Sequence, residues 1–264
     1  MKTRLIMISL AAVGAVLSAV ASTDAELVER IVGCLRPRCG GNHIEGEEDP
    51  DLAEILDIGN DTNRLARLLV ELAQTNDNWN ANMAMWQLEK YGTLAQLPFL
   101  YSCATNPVVG HRAVKAAMCI EGVTSNSLLA AQSYVSLTNG FPLMKNDDRS
   151  DLCRSIVTMV FANEELSSYR PFVMDIACGF AENVNVMPKG LDKTLVAVDQ
   201  DFRFTKRRLA ILRAAQTRLN EQFQSLDTNS VHFSAESHIY DVQTNYLTSA
   251  INELVDYPEA NLPD

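Results

Sequence analysis

Apolar residues recur at spacings of three and four along most of this chain, and that period is what most constrains its fold. Leu65, Leu68, Leu69 and Leu72 stand at i, i+3, i+4 and i+7, which puts all four on one face of a helix. Asp61 and Thr62 precede them as candidate N-terminal caps. An apolar face of this kind needs a packing partner, so the period predicts a protein of helices that pack on one another.

Eight further segments show the same helical spacing. Trp79, Met83 and Trp86, with Ala84, Leu88 and Tyr91, define the predicted inner face of the next helix. We assign the tryptophans to the core rather than to a sugar-stacking platform. The connector from Gln74 to Asn78 is short, which predicts antiparallel neighbours. The eight segments are 79–91, 94–103, 108–120, 128–137, 149–160, 169–180, 202–226 and 239–256.

One apolar stretch does not fit the helical pattern as clearly. Leu191 to Val198 contains β-branched residues and follows the turn-like Met187 to Gly190, so we interpret it as a loop or short extended piece. Strand-like segments recur nowhere at regular spacing, and residues 202–226 form the longest predicted helix. The predicted fold class is all-α: stacked antiparallel helix pairs, as a HEAT-like α-α superhelix or a compact helical array.

The middle of the chain resembles a HEAT repeat. The resemblance is carried by Leu97-Pro98-Phe99-Leu100, the break Asn106-Pro107 and the run Arg112 to Ala117; Arg154 to Val157 repeats the last element more weakly. It covers about residues 61–162. The resemblance implies an α-solenoid that binds a macromolecule along a groove, and it brings no family catalytic residues.

The start of the chain predicts export. Lys2 and Arg4 precede an apolar run from Leu5 to Val20, and small residues stand just before Ser22, as at a signal-peptide cleavage site. An uncleaved anchor is the rival interpretation, because the run approaches the length that spans a bilayer. We expect a secreted or periplasmic protein with a signal peptide at 1–21, an irregular Cys-containing segment at 22–50, a helical HEAT-like domain at 51–256 and a disordered tail at 257–264.

The charge balance limits the class of partner. The chain has 22 basic and 33 acidic residues and a net charge of -11, which argues against binding to the phosphates of a nucleic acid. No stretch after the predicted signal is apolar enough to span a membrane. The predicted partner is a protein or an anionic polymer, and no cofactor or metal is predicted.

Two cysteines near the start are the strongest disulfide candidates. Cys34 and Cys39 flank a Pro-containing turn, and an even total of six cysteines in an exported protein permits pairing. Zinc binding by this pair with His43 is a weaker alternative. For Cys103, Cys119, Cys153 and Cys178, pairing and burial as free thiols remain equally open.

Other groups of polar residues are interpreted as structural. The acidic run from Glu45 to Asp51 lacks the spaced ligands of a calcium loop, so we expect a solvated charge run. His232 and Glu236 stand four apart with His238 nearby, but they do not form a metalloprotease motif. His111 is expected to be an ordinary, partly buried histidine.

A cluster of basic residues on one predicted helix is the strongest anomaly in this acidic chain. The simpler interpretation is that they pair with carboxylates of neighbouring helices. The alternative is a basic strip that recognises an anionic partner, such as an acidic polysaccharide or an acidic protein segment. The candidate binding residues are Arg203, Lys206, Arg207, Arg208, Arg213 and Arg218.

These features favour an exported, non-catalytic binding or scaffold module that holds a protein or polysaccharide on a helical-repeat surface. The chain contains no nucleophile-elbow, phosphate-loop or dinucleotide-binding motif. An exported helical hydrolase, acting on a polysaccharide or peptide with two carboxylates from distant loops, is the alternative. No catalytic residue is assigned.

Overall fold

The computed structural model describes residues 23–35, 61–75, 77–137, 145–184, 189–225, 233–255 and 262–263, and all regular structure within them is helical. The predicted all-α class is therefore confirmed. The eleven α-helices of these residues are α1 (Asp24–Leu35), α2 (Thr62–Ala73), α3 (Asn78–Tyr91), α4 (Leu97–Cys103), α5 (Gly110–Glu121), α6 (Ser125–Val135), α7 (Lys145–Ala162), α8 (Arg170–Asn183), α9 (Lys189–Val198), α10 (Lys206–Gln224) and α11 (Phe233–Val255).

The chain forms two compact units, Met1–Gln96 and Leu97–Asp264. In the first unit α2 packs on α3, as their short connector predicts, and α1 packs on both. Asp61 caps α2 by accepting a hydrogen bond from the Arg64 amide at 3.0 Å. Asp77 caps α3 in the same way, so short acidic side chains fix where both helices begin.

The inner face of α3 agrees with the prediction at Ala84, Leu88 and Tyr91 but differs from it at the two tryptophans. Trp79 and Trp86 are only half-buried, whereas Ala84, Met85 and Leu88 are fully buried in the first unit. Small and unbranched residues let two helices approach closely, so this seam, one residue removed from the tryptophan row, packs inward. The predicted assignment of the tryptophans to the core was wrong in register.

The second unit begins with the helix pair α4 and α5, separated by the break at Asn106. The Asn106 side chain accepts hydrogen bonds from the amides of Val108 and Val109, which ends the first helix and sets up the second. Gly110 opens α5 where a Cβ atom would lie 2.6 Å from the Ala104 carbonyl oxygen. Only glycine fits there without displacing backbone.

The core of the second unit lies among α5 to α11. Leu152 of α7, Leu195 of α9, Leu212 of α10 and Leu247 of α11 are all fully buried in it. Neighbouring helices pack in pairs, but α9 also packs on α7, and α10 packs on α8. The later helices therefore fold back over the earlier ones.

Two predicted elements, and the identity of the longest helix, differ from the structure. Residues 189–198 form helix α9 rather than a loop, because Leu191 and Leu195 stand one turn apart and both reach the core. The predicted helix 202–226 is shorter, since Phe202–Phe204 is a 3-10 turn and α10 begins at Lys206. The longest described helix is instead α11, with 23 residues.

The end of the chain is more ordered than expected at two residues. The predicted disordered tail contains Leu262, which is only 4% exposed and belongs to the core of the second unit. The carbonyl of Pro263 accepts a hydrogen bond from the Lys206 amide at 2.9 Å. Leu262 docks because its side chain is apolar. Pro263 docks because the Lys206 amide, in the first turn of α10, has no acceptor within that helix.

Several predictions concern residues that the structure does not describe. The predicted signal peptide at 1–21 and the acidic run at Glu45–Asp51 lie outside the described residues, as do Cys39, His43 and His232. Within the residues that are described, no helix combines the length and the apolar character that a bilayer crossing needs.

Candidate functional site

A groove lies between α9 and α11 in the second unit, and α10 supplies part of its floor. Its volume is about 520 Å³, which is the size of a site that can hold a small molecule or a few side chains of a peptide. The lining residues are Asp192, Lys193, Val196, Ala197, Gln200, Arg203, Arg208, Tyr246, Ser249, Ala250 and Glu253.

Local sequence places the two charged residues of the floor. In α9, burial of Leu191 and Leu195 in the core carries Asp192 inward with them. Thr205 caps α10 by accepting a hydrogen bond from the Arg208 amide at 3.1 Å, so Arg208 lies in the first turn of that helix. These two helix starts bring the carboxylate and the guanidinium together.

Asp192 and Arg208 form a buried bidentate pair. Arg208 Nε donates to Asp192 Oδ1 at 3.0 Å and Arg208 Nη2 donates to Oδ2 at 2.9 Å. The side chains are only 4% and 1% exposed. The Tyr246 hydroxyl also donates to the carboxylate, and Arg208 Nη1 donates to the Arg203 carbonyl at 2.9 Å. Each charged group of the floor is thus held by several protein groups.

The pKa shifts of the floor follow from this arrangement. Burial lowers the pKa of Arg208, but the hydrogen bonds and charge of Asp192 outweigh burial and leave it above its usual value. Burial raises the pKa of the Tyr246 hydroxyl, and its hydrogen bond to Asp192 raises it further. Near neutral pH, Arg208 is therefore charged and Tyr246 is protonated.

A second ion pair lies at the rim. Arg203 donates from Nε to Glu253 Oε1 at 2.9 Å, and its Nη2 bonds the same oxygen. Arg208 Nη1 lies 3.5 Å from Glu253 Oε2. Arg203 and Glu253 are 41% and 33% exposed, so two guanidinium groups converge on one carboxylate that solvent still reaches.

The walls combine aliphatic side chains with unpaired positive charge. Val196 and Ala197 of α9 face Ala250 of α11 across the groove. Lys193 is exposed on the α9 wall and forms no ion pair with any residue that the structure describes. The Lys189 ammonium lies 5.4 Å from the centre of the Tyr246 ring. The groove is therefore slightly cationic in an acidic protein.

The structure separates the basic residues that sequence grouped together. Arg203 and Arg208 belong to the groove, whereas Arg207 pairs on α8 with Asp175 at 2.7 Å and Glu182 at 3.0 Å. Burial lowers the pKa of Arg207, but these hydrogen bonds leave it above the usual value.

The remaining basic residues of α10 have different surroundings. Arg218 donates to the carbonyls of Ala181 and Glu182, which are orphan acceptors at the end of α8. Lys206 and Arg213 have exposed side chains. Internal pairing thus accounts for Arg203, Arg207 and Arg208, while a binding role for the six residues as one strip stays a prediction.

The cysteines of the described residues are not joined to one another. Cys34, at the end of α1, is a free thiol in the structure. Its predicted partner Cys39 is outside the described residues, so the structure does not show that disulfide and it stays a prediction. Burial raises the pKa of the Cys153 and Cys178 thiols to about 12. These two therefore occupy the core as apolar thiols, the second of the interpretations left open by sequence.

The histidines do not gather into a site within the described part of the chain. His238 is exposed on α11. His111 is buried at the start of α5, and its Nδ1 lies 3.8 Å from Asp148 Oδ2. Among the described residues no group of three His, Cys, Asp or Glu side chains has the geometry to hold a metal ion.

Comparison with known proteins found no family model, no curated protein and no solved structure that matches this chain. The interpretation of the groove therefore depends on its own geometry.

Sequence reasoning missed most of the groove. Asp192, Tyr246 and Glu253 were not singled out, because each stands alone among ordinary helical residues. A signal existed in α9, where Asp192 and Val196 stand one turn apart beside the apolar pair Leu191 and Leu195. An acidic residue beside the apolar face of one helix, followed along the chain by a helix with a basic start, indicates a buried ion pair.

Proposed function

We propose that this chain is an exported, non-catalytic binding module that holds a segment of a partner protein in the groove between α9 and α11. The observation that carries the proposal is the groove itself: a concave site with aliphatic walls, a rigid ionic floor and a charged rim. A floor fixed by a buried bidentate pair gives a binding surface of constant shape, which limits the entropy lost on binding.

HEAT-like stacking of the helices is part of the proposal. The packed pair α4 and α5, with its break at Asn106, and the following pair α6 and α7 have the helix-turn-helix order of such repeats. Beyond Ala162 the packing of α9 on α7 departs from a simple linear stack. We propose that the first pairs act as a scaffold and that the folded-back helices form the binding groove.

The state of the groove carboxylates supports binding over the hydrolase alternative. A general acid or base needs a carboxyl group that is available to the substrate. Asp192 is committed to Arg208 and Tyr246, and Glu253 to Arg203 and Arg208. Carboxylates whose oxygens are bonded to guanidinium groups are not placed to exchange a proton with a substrate.

Selection from a displayed library of random peptides tests this function. Binders selected on the purified protein are measured against Ala197→Arg, which puts a long charged side chain into the groove, and against Ala210→Arg, the same change at an exposed site of α10 outside the groove. We expect Ala197→Arg to abolish binding and Ala210→Arg to leave it unchanged. Equal binding by both variants would exclude the groove, and cleavage of bound peptides would revive the hydrolase.

A further inference from the structure

We infer that the occupant of the groove is an amphipathic helical segment with an acidic side chain, and that its carboxylate replaces Glu253 on Arg203. The inference rests on the proposed function and adds the chemistry of the partner. Glu253 then acts as an internal competitor that fills the anion site while the groove is empty.

Exposed apolar residues on α11 extend the groove and indicate the apolar side of the occupant. Ile239 and Val242 are 59% and 45% exposed. At 100° per residue they share an arc of about 80° with Tyr246, Ala250 and Glu253. From Ile239 to Glu253 this face is about 21 Å long. A helical segment of about 14 residues, with apolar residues spaced three and four apart, covers that length.

The charges indicate the polar side of the occupant. Arg203 and Arg208 both direct guanidinium groups at the Glu253 carboxylate, which remains one-third exposed. Lys193 adds a positive charge with no ion pair among the described residues. Since Asp192 alone already holds Arg208 in place, a carboxylate from outside can take the position of Glu253 without leaving the floor unpaired.

The walls favour a protein segment over a sugar polymer. Sugars bind by stacking on an open aromatic face, and Tyr246 is the aromatic residue that lines this groove. The Lys189 ammonium lies over its ring, and the hydroxyl is bonded to Asp192. The other wall contacts come from Val196, Ala197 and Ala250, which suit aliphatic side chains.

Two synthetic peptides test the inference. Both are amphipathic helices of about 14 residues with leucines spaced three and four apart; they differ in one residue beyond the last leucine, glutamate in one and glutamine in the other. Fluorescence anisotropy gives the Kd of each for the wild type and for Glu253→Gln. Glu253→Gln removes the competing charge. We therefore expect it to lower the Kd of the glutamate peptide roughly fivefold or more and to leave the Kd of the glutamine peptide unchanged.

Matched variants keep the experiment decisive. Glu164→Gln changes an exposed glutamate paired with Arg170 outside the groove and should leave both peptides unaffected. Lys193→Gln disrupts no ion pair among the described residues and should weaken only the glutamate peptide. If Glu253→Gln and Lys193→Gln affect the two peptides equally, or if neither peptide binds, the inference is overturned. If the peptides selected from the library still bind the wild type and fail to bind Ala197→Arg, the proposed function would hold even though the inference fails.

Discussion

Asp192 and Arg208, sixteen residues apart, form a fork-to-fork pair that solvent does not reach. Two buried charges that satisfy each other contribute little net stability, but removing one strands the other in the core. The pair therefore fixes the geometry between α9 and α10 more than it strengthens the fold.

Replacing one member of this pair should be strongly destabilising. Asp192→Asn leaves the Arg208 charge buried, and we expect a loss of about 3 to 5 kcal/mol in the free energy of unfolding, measured by urea denaturation. Asp175→Asn is the control, because it removes an exposed carboxylate from Arg207 and should lose less than about 1 kcal/mol. Similar losses in the two variants would show that Arg208 is solvated in the folded protein.

Two glycines should respond to alanine in opposite directions. Gly110→Ala places a Cβ atom 2.6 Å from the Ala104 carbonyl oxygen and from the Tyr134 ring, and should destabilise by about 1 to 3 kcal/mol. Gly179→Ala meets nothing within 4 Å inside α8 and should stabilise by about 0.5 to 1 kcal/mol. Melting temperatures compare the two, and an unchanged Gly110→Ala would mean that α5 can shift away from Ala104.

The first unit should lose stability in acid through Asp24. Hydrogen bonds from Arg64 hold the pKa of Asp24 below its ordinary value of 3.8. A carboxyl group with a depressed pKa contributes stability above the unfolded pKa, and that contribution disappears as the pH falls below about 4. The tryptophans are both on α3, so tryptophan fluorescence reports this unit.

Asp24→Asn should make the stability of the first unit less dependent on pH in the acid range, because the titrating carboxyl group has been removed. Glu29→Gln, an exposed change on the same helix, should leave the wild-type acid profile intact. A wild-type profile in the Asp24 variant would place the acid-sensitive group elsewhere.

Thiol reactivity should separate the buried Cys153 and Cys178 from the exposed Cys119. With a pKa raised to about 12, the Cys153 and Cys178 thiols stay protonated near pH 8 and buried in the second unit. Labelling with a disulfide reagent should be fast at exposed Cys119 and slow at these two until denaturant is added. Cys119→Ser should remove the fast phase, and rapid native labelling of Cys153 would contradict its burial.

The proposed export can be tested directly on the native protein. N-terminal sequencing of material from the source cells should begin near Ser22, because the small residues before it form the predicted cleavage site. Peptide mapping without reduction should recover Cys34 and Cys39 in one linked fragment. An intact Met1 would contradict cleavage, and separate fragments would contradict the disulfide.

The helices could be predicted from sequence because their period is local, but their partners could not. Leu68 and Leu72 specify an inward face of α2 by themselves. The inner face of α3 depends on what α2 presents, so the larger tryptophans misled the assignment by one residue. Helix α9 was missed because its β-branched residues weaken local helix propensity, while burial of Leu191 and Leu195 in the core decides its structure.

The groove was beyond sequence reasoning for a similar reason. Asp192 and Tyr246 are 54 residues apart and meet only through tertiary packing, in which α9 packs on α7 and α11 packs on α10. The excess of basic residues on α10 could be seen in the sequence. The structure shows that these residues have two different surroundings. Arg208 belongs to the buried floor, whereas Arg207 lies in a surface pair with α8.

Docking of Leu262 and Pro263 also has a consequence for when the second unit matures during synthesis. The Lys206 amide at the start of α10 finds its acceptor only when the chain has been made as far as Pro263. A chain that crosses a membrane from its N-terminus would thus emerge with this helix start still unsatisfied and with the Leu262 site in the core still open. Until the last residues arrive, the second unit should remain loosely packed and susceptible to proteases.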